Sequence, residues 1–186
     1  MAKDTTGVVV GANGTPWVAP KGTAAPIDPV IAPAAAWIDL GYLTDDGTKV
    51  TKNRQIVGIP AWQSFYDLRK IVQSEKLGFA FSVLQWGKDQ IKLAFGGGTV
   101  STVTGPPLHY KYQPPAPGLV DERAFMLDWI DGTYAFRLIV PRVMVTEAVE
   151  STVGRKDAAK LPIGIEVLGT DGVDAWYLLS THPAFA

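Results

Sequence analysis

Phe125, Leu127 and Trp129 alternate with Met126 and Asp128, the chain turns at Asp131-Gly132, and Tyr134, Phe136, Leu138 and Val140 alternate back. A period of two puts those side chains on one side of a pleated ribbon. This stretch is therefore a β-hairpin with one apolar and one mixed face. A lone hairpin is marginal in water, so other strands have to cover it. Candidates run through the chain. Residues 55–62 read as a strand whose Pro60 marks an edge or a bulge. Residues 68–75 and 77–84 form two more runs, the second with Leu77, Phe79, Phe81 and Val83 in alternation. Residues 99–104 are a Thr/Val strand, and a short strand with Leu108 and Tyr110 lies between two proline clusters. Val143, Val145 and Val149 continue as a strand interrupted by Glu147, followed by a polar connection over 154–160 with room for one helical turn. Ile163, Ile165 and Val167 are expected to pair, across Thr170-Asp171-Gly172, with Trp176 and Leu178.

One helix interrupts this pattern, over about 86–95. Ile91, Ala94 and Phe95 share a face at helical spacing, and Gly96-Gly97-Gly98 stops it as a C-cap. About nine strands and one helix predict a mainly β fold, a β-sandwich or barrel, with no internal repeat.

Where the folded domain begins is marked by Trp37-Ile-Asp-Leu-Gly-Tyr-Leu-Thr-Asp-Asp-Gly47. It reads as a strand over 37–43 entering an Asp45-Asp46-Gly47 turn, because Asp-Gly supplies the positive φ of a tight turn. Before it, Val8-Val9-Val10 could form a short strand, and then five prolines between Pro16 and Pro33 argue against regular structure. The expected division is an extended Pro-rich arm over 1–35 and a β domain over 36–186. The arm reads either as a disordered leader or as a segment that docks on a neighbouring subunit. Trp17, Ile27, Val30 and Ile31 favour docking, since a solvated tail rarely carries such side chains. Such an arm is expected to be mobile in the monomer and ordered in a polymer.

The chain of 186 residues is about one domain long, and its formal net charge of −1 gives no global attraction to phosphate backbones or anionic lipid. A local basic patch remains compatible with that total. There are no cysteines, hence no disulfides or thiolate metal sites. No signal sequence or apolar run of membrane-spanning length is evident, so synthesis in a cytoplasm is the default. Asn13-Gly14-Thr15 matches a glycosylation sequon by chance.

Chemistry is nearly absent. His109 and His182 are the two side chains that titrate near neutrality, and both read as surface or structural. Gly96-Gly97-Gly98 follows a helix instead of preceding one and has no partner lysine, so it is not a phosphate loop. Asp45 with Asp46, and Asp128 with Asp131, sit at turns where aspartate is expected anyway. No catalysis, cofactor or metal is expected. Trp17, Trp37, Trp62 and Trp86, in the arm, at the domain edge and near loops, fill the core or pack between subunits.

The 37–47 motif resembles the start of the folded domain in major tail tube proteins of long, non-contractile-tailed phages, especially those of actinobacteria. Ala61-Trp62-Gln63, the run Gly78-Phe-Ala-Phe-Ser-Val-Leu84, the Leu93-Ala-Phe95-Gly helix end and the terminal hairpins follow in the same order. The resemblance implies a structural virion protein of the phage tail, made in the bacterial cytoplasm. It further implies hexameric rings stacked into a hollow tube through which DNA passes as transient cargo. Partners implied are other copies of the chain, a tape measure protein and tail-tip or terminator proteins, with no membrane contact. The alternative is a non-catalytic carbohydrate- or protein-binding β-sandwich of the tail-tip or adhesion type. For a tube, the 44–54 loop would bridge rings through Asp45, Asp46, Thr48, Lys49, Lys52 and Arg54. A water-filled lumen would be lined by Gln73, Glu75, Ser82 and Gln85, with Arg69 on the face of Gln73 and Glu75.

Overall fold

A computed structural model describes residues 7–146, 149–151, 153–155 and 157–185. The Glu147 interruption and Lys156 in the polar connection lie outside the described residues, as does the start of the arm. Among the described residues the chain is mainly β, with 54% strand and 6% helix. Its strands are β1 Asn13–Pro20, β2 Ile38–Asp39, β3 Leu43–Ala61, β4 Ser64–Val83, β5 Thr99–Val103, β6 His109–Gln113, β7 Glu122–Asp131, β8 Tyr134–Val145, β9 Leu161–Val167 and β10 Tyr177–Ser180. Helix α1 is Lys88–Ala94. One antiparallel sheet runs β2-β1-β7-β8-β9-β4-β3, with β10 also on β8, and β5-β6 form a separate ribbon.

The sheet curls. Phe125 on β7 lies 5.5 Å from Phe79 and 5.7 Å from Phe81 on β4, measured between ring centroids. Strands β8 and β9 intervene, and three flat inter-strand spacings would be about 14 Å. Those rings, with Val18, Val83, Leu138, Val140, Leu161, Ile163 and Ile165, fill the concave side, and Leu93 and Ala94 of α1 join them. On α1 the inward residues are Gln90, Leu93 and Ala94, whereas Phe95 is half exposed. Gly96 and Gly97 take positive φ, and Gly97 N–H bonds the Lys92 carbonyl, so the glycine run is the expected C-cap.

The 125–140 hairpin forms as expected, with Trp129 stacked on its cross-strand partner Phe136. Its second face is also buried. Ala124, Met126 and Ile139 join Ala19 and Trp37 in a smaller cluster on the convex side.

Several expectations are corrected. Asn13–Pro20 is a strand between β2 and β7, not part of an irregular arm. Pro16 accepts a bond from Leu40 N–H through its carbonyl. A strand residue's N–H and C=O point the same way, so the missing N–H of Pro16 faces β2 and costs β7 nothing. The motif at 37–47 is not one strand and a hairpin turn. Ile38–Asp39 is one short strand, Leu43 already opens β3, and Asp45-Asp46-Gly47 forms a bulge inside β3, between the pairs Leu43/Val83 and Thr48/Phe81. Gly47 has φ +67°, which a bulge needs as much as a turn does. The 44–54 loop is thus strand, and the two runs 68–75 and 77–84 are one strand, β4. The strand with Val143 and Val145 is the end of β8. Finally, β10 pairs with β8, because β9 already has β8 and β4 on its two edges.

An ion cluster fixes the end of β1 to the sheet. Glu122 on β7 accepts from Lys21 Nζ at 2.6 Å and from Arg142 Nε at 3.0 Å. Arg142 first, then Lys21, hold its carboxyl down at about 2. A folded-state value below the ordinary 4.5 stabilises the fold above 4.5 and loses that contribution as pH falls through about 2. Glu122→Gln should therefore flatten the rise of thermal midpoint with pH across this window. An unchanged slope would show that the cluster is not coupled to folding.

Candidate assembly surfaces

Strands β3 and β4 are far longer than their neighbours and leave the sheet together as a ribbon. Strand β9 pairs with β4 only from Gly78 to Val83. Beyond that point β3 and β4 hold each other through a ladder that ends at Ala61/Ser64, and none of the buried core residues lies between 50 and 76. Among the described residues both edges of this ribbon are unpaired, the arrangement that invites strand addition. Its faces carry exposed Val50, Ile56, Val57, Ile59, Leu68, Ile71 and Val72. At its tip Trp62 is 99% exposed, beside fully exposed Phe65 and largely exposed Tyr66. Apolar exposure on this scale marks an interaction surface.

The ribbon is also basic. Lys52, Arg54, Arg69, Lys70 and Lys76 stand against Asp67 and Glu75, a net charge of +3 in a chain of −1. Glu75 pairs with Lys52 at 2.8 Å and Arg54 at 2.6 Å, and the Lys52 and Arg54 bonds hold its carboxyl below the ordinary value. Two of the six stacking candidates are therefore engaged within their own ribbon. Asp45, Asp46 and Lys49 are exposed, while Thr48 is partly buried.

The lumen candidates do not share one face. Regular pairing with β3 from Ser74 to Phe81, continued with β9 to Val83, puts Glu75 with Leu77, Phe79 and Phe81, and Ser82 on the opposite face. A bulge at Gln73, between Ser74/Gln55 and Val72/Ile56, then shifts the alternation. Lys70 opposite Gly58 comes onto the face of Glu75, and Arg69 opposite Ile59 leaves it. Gln73, Glu75 and Gln85 are exposed and Ser82 is partly buried.

Residues between β1 and β2 strap the convex face. Trp37 is buried there and its indole N–H donates to the Ala24 carbonyl at 3.1 Å. Arg137 on β8, only 2% exposed, is the latch. Its Nε and Nη2 grip both oxygens of Asp128 at 2.7 and 2.8 Å, and its Nη1 donates to the carbonyls of Asp28 and Ile31 at 2.7 and 2.8 Å. Hence the segment expected to be mobile before assembly is fastened to its own domain. Ile27, Val30 and Ile31 nonetheless project outward, whereas Trp17 packs partly buried on the sheet. Trp86 is tied down through its N–H to the Ala159 carbonyl. This latch was not legible as such: Asp128 was read as a turn residue and Arg137 was not singled out.

Between β1 and the start of β3 the curled sheet stays open, leaving a cavity of about 1080 Å³. Asp39, Tyr42, Asp45 and Asp46 line it, with Leu127 and Trp129 on its core side. No lysine or arginine lines it among the described residues.

The two histidines serve structure. His182 is buried against Tyr134 and Phe136, and its Nδ1 accepts from Ala184 N–H. His109 Nδ1 lies 3.1 Å from the Pro107 carbonyl. No helix is long and apolar enough to cross a membrane among the described residues. A search of curated proteins finds no match. A family model described as "Phage tail tube protein" matches residues 1–186, the whole chain.

Proposed function

Because the chain belongs to the phage tail tube protein family, a structural, non-catalytic component of the virion tail, we propose that it is the major tube subunit and forms hexameric rings that stack into a hollow tube conducting DNA during ejection. The observation that carries this reading is the β3–β4 ribbon, with two free edges and a fully exposed aromatic tip. A monomer gains nothing from keeping such a ribbon in water. A neighbouring copy can pair with its edges, and a head-to-tail contact repeated at a fixed rotation closes a ring whose strands form one barrel. The tape measure protein and the tail-tip or terminator proteins are then the partners at the lumen and at the tube ends.

Within this reading the functional arm is residues 21–36 together with what precedes β1, and the β domain carries the tube wall. Ile27, Val30 and Ile31 dock on a neighbouring copy from a preformed strap, without the ordering cost a free tail would carry. The triple variant Ile27→Ser, Val30→Ser, Ile31→Ser is expected to keep its thermal midpoint and to polymerise about tenfold less readily. Unchanged assembly would rule out docking by the strap. For the lumen, Gln73, Glu75, Ser82 and Gln85 remain candidates, with those on one face of β4 lining the channel and the rest facing protein.

Negative-stain imaging of the concentrated protein tests the function as a whole. Tubes or stacked rings are the expected result, and a small closed oligomer at every concentration would overturn it.

A further inference from the structure

We propose that the open cavity between β1 and β3 is the socket for the ribbon tip of a second copy of this chain. The proposal rests on the self-assembly reading above and adds to it which surfaces meet. Charge complementarity identifies the occupant. The cavity wall presents Asp39, Asp45 and Asp46 without a compensating lysine or arginine among the described residues, and Asp45 and Asp46 make no ion pair within the chain among the described residues. The ribbon carries a net charge of +3, which leaves −4 for the rest of the chain.

Shape agrees with charge. A cavity of about 1080 Å³ slightly exceeds the roughly 300–1,000 Å³ typical of sites that take drug-sized groups, so it has room for the rings of Trp62, Phe65 and Tyr66. Leu127 and Trp129 give those rings an apolar surface to rest on. Arg69 and Lys70, one on each face of the shaft behind the tip, would then meet Asp45 and Asp46 at the rim. The chain cannot fill its own socket. Val50 lines the cavity, and the twelve residues of strand from there to Trp62 span about 40 Å. The tip and the socket thus lie at opposite ends of one ribbon, and only another copy brings them together. Seating also neutralises a basic ribbon that would otherwise hold a phosphate backbone passing nearby.

The test uses the absence of native cysteine. Gln63→Cys in one preparation of the full chain and Tyr42→Cys in another are mixed under assembly conditions and oxidised. A disulfide requires Cα atoms within about 7 Å. A 63–42 cross-linked pair is expected, and Asp45→Lys with Asp46→Lys should lower its yield about tenfold. Adding Arg69→Glu and Lys70→Glu to the partner should restore it. Thermal midpoints control for folding. Tubes that form without the 63–42 link, or a yield indifferent to charge reversal, overturn the socket and leave the tube reading standing. A charge-dependent 63–42 link in a protein that makes no tubes supports the socket and removes the tube reading. Absence of both link and tubes overturns both.

Discussion

Replacing residues 54–75 with an Asn-Gly turn is expected to yield a folded monomer that forms no tubes. Asn53 and Lys76 are direct cross-strand partners, so a two-residue turn can join them without disturbing the register below. Everything removed lies beyond the core: Phe79, Phe81 and Val83 keep their pairing with β9 and their contacts with Phe125. The shortened protein should therefore melt within about 4 °C of the parent, since a change of about 1 kcal/mol shifts a domain of this size by only a few degrees. Assembly should respond very differently. The deletion removes two free strand edges and the Trp62, Phe65 and Tyr66 tip together, and hot-spot aromatics each contribute about 2 kcal/mol or more to a contact. The critical concentration for polymerisation should rise at least about a hundredfold. Sedimentation and melting measured on the same preparations separate the outcomes. Tubes of normal length from the shortened chain would show that the ribbon is dispensable.

The second large effect falls on stability. Arg137→Ala is expected to cost about 3 kcal/mol, because it leaves the Asp128 carboxylate and the Asp28 and Ile31 carbonyls without their buried donor. For a domain of this size that is a midpoint lower by roughly 6–12 °C. Arg137→Lys should recover little of it. A single ammonium cannot grip both Asp128 oxygens and reach two strap carbonyls at once. The strap should loosen before the sheet does, so proteolysis between β1 and β2 should accelerate in both variants. A drop of under about 1 kcal/mol with an unchanged strap would show that Trp37, not Arg137, holds the segment.

Those two sites mark where sequence reasoning worked and where it stopped. Strands whose apolar residues face a core were legible from alternation, as in Phe125–Val140 and Leu77–Val83, and so was the helix with its glycine stop. The ribbon shaft is legible only in part: 55–62 and 68–75 read as strands and lie in β3 and β4, whereas 44–54 reads as a loop, because nothing there is buried to impose a period of two. Lys76 reads as a break between strands, and the bulge at Gln73 reverses which neighbour shares a face with Glu75. Asp45-Asp46-Gly47 was located correctly as a positive-φ site, but a bulge and a hairpin turn make the same local demand. Strand β1 was hidden by its prolines, which are tolerated because Pro16 turns its missing N–H away from β7. The latch combines residues 28, 31, 128 and 137, four positions that only the tertiary fold brings together. As for assembly, Trp62 is one of four tryptophans open to either core filling or packing between subunits, and its place in the two-residue turn between Ala61 and Ser64 leaves it no core to fill.

Helical reconstruction of the assembled polymer would show whether this chain is a tube subunit joined through the β3–β4 ribbon. The expected result is a hollow tube of sixfold rings in which both ribbon edges are paired with neighbouring copies and Trp62 is buried. A polymer whose ribbons stand unpaired in solvent, or a wall built from other surfaces, would contradict it.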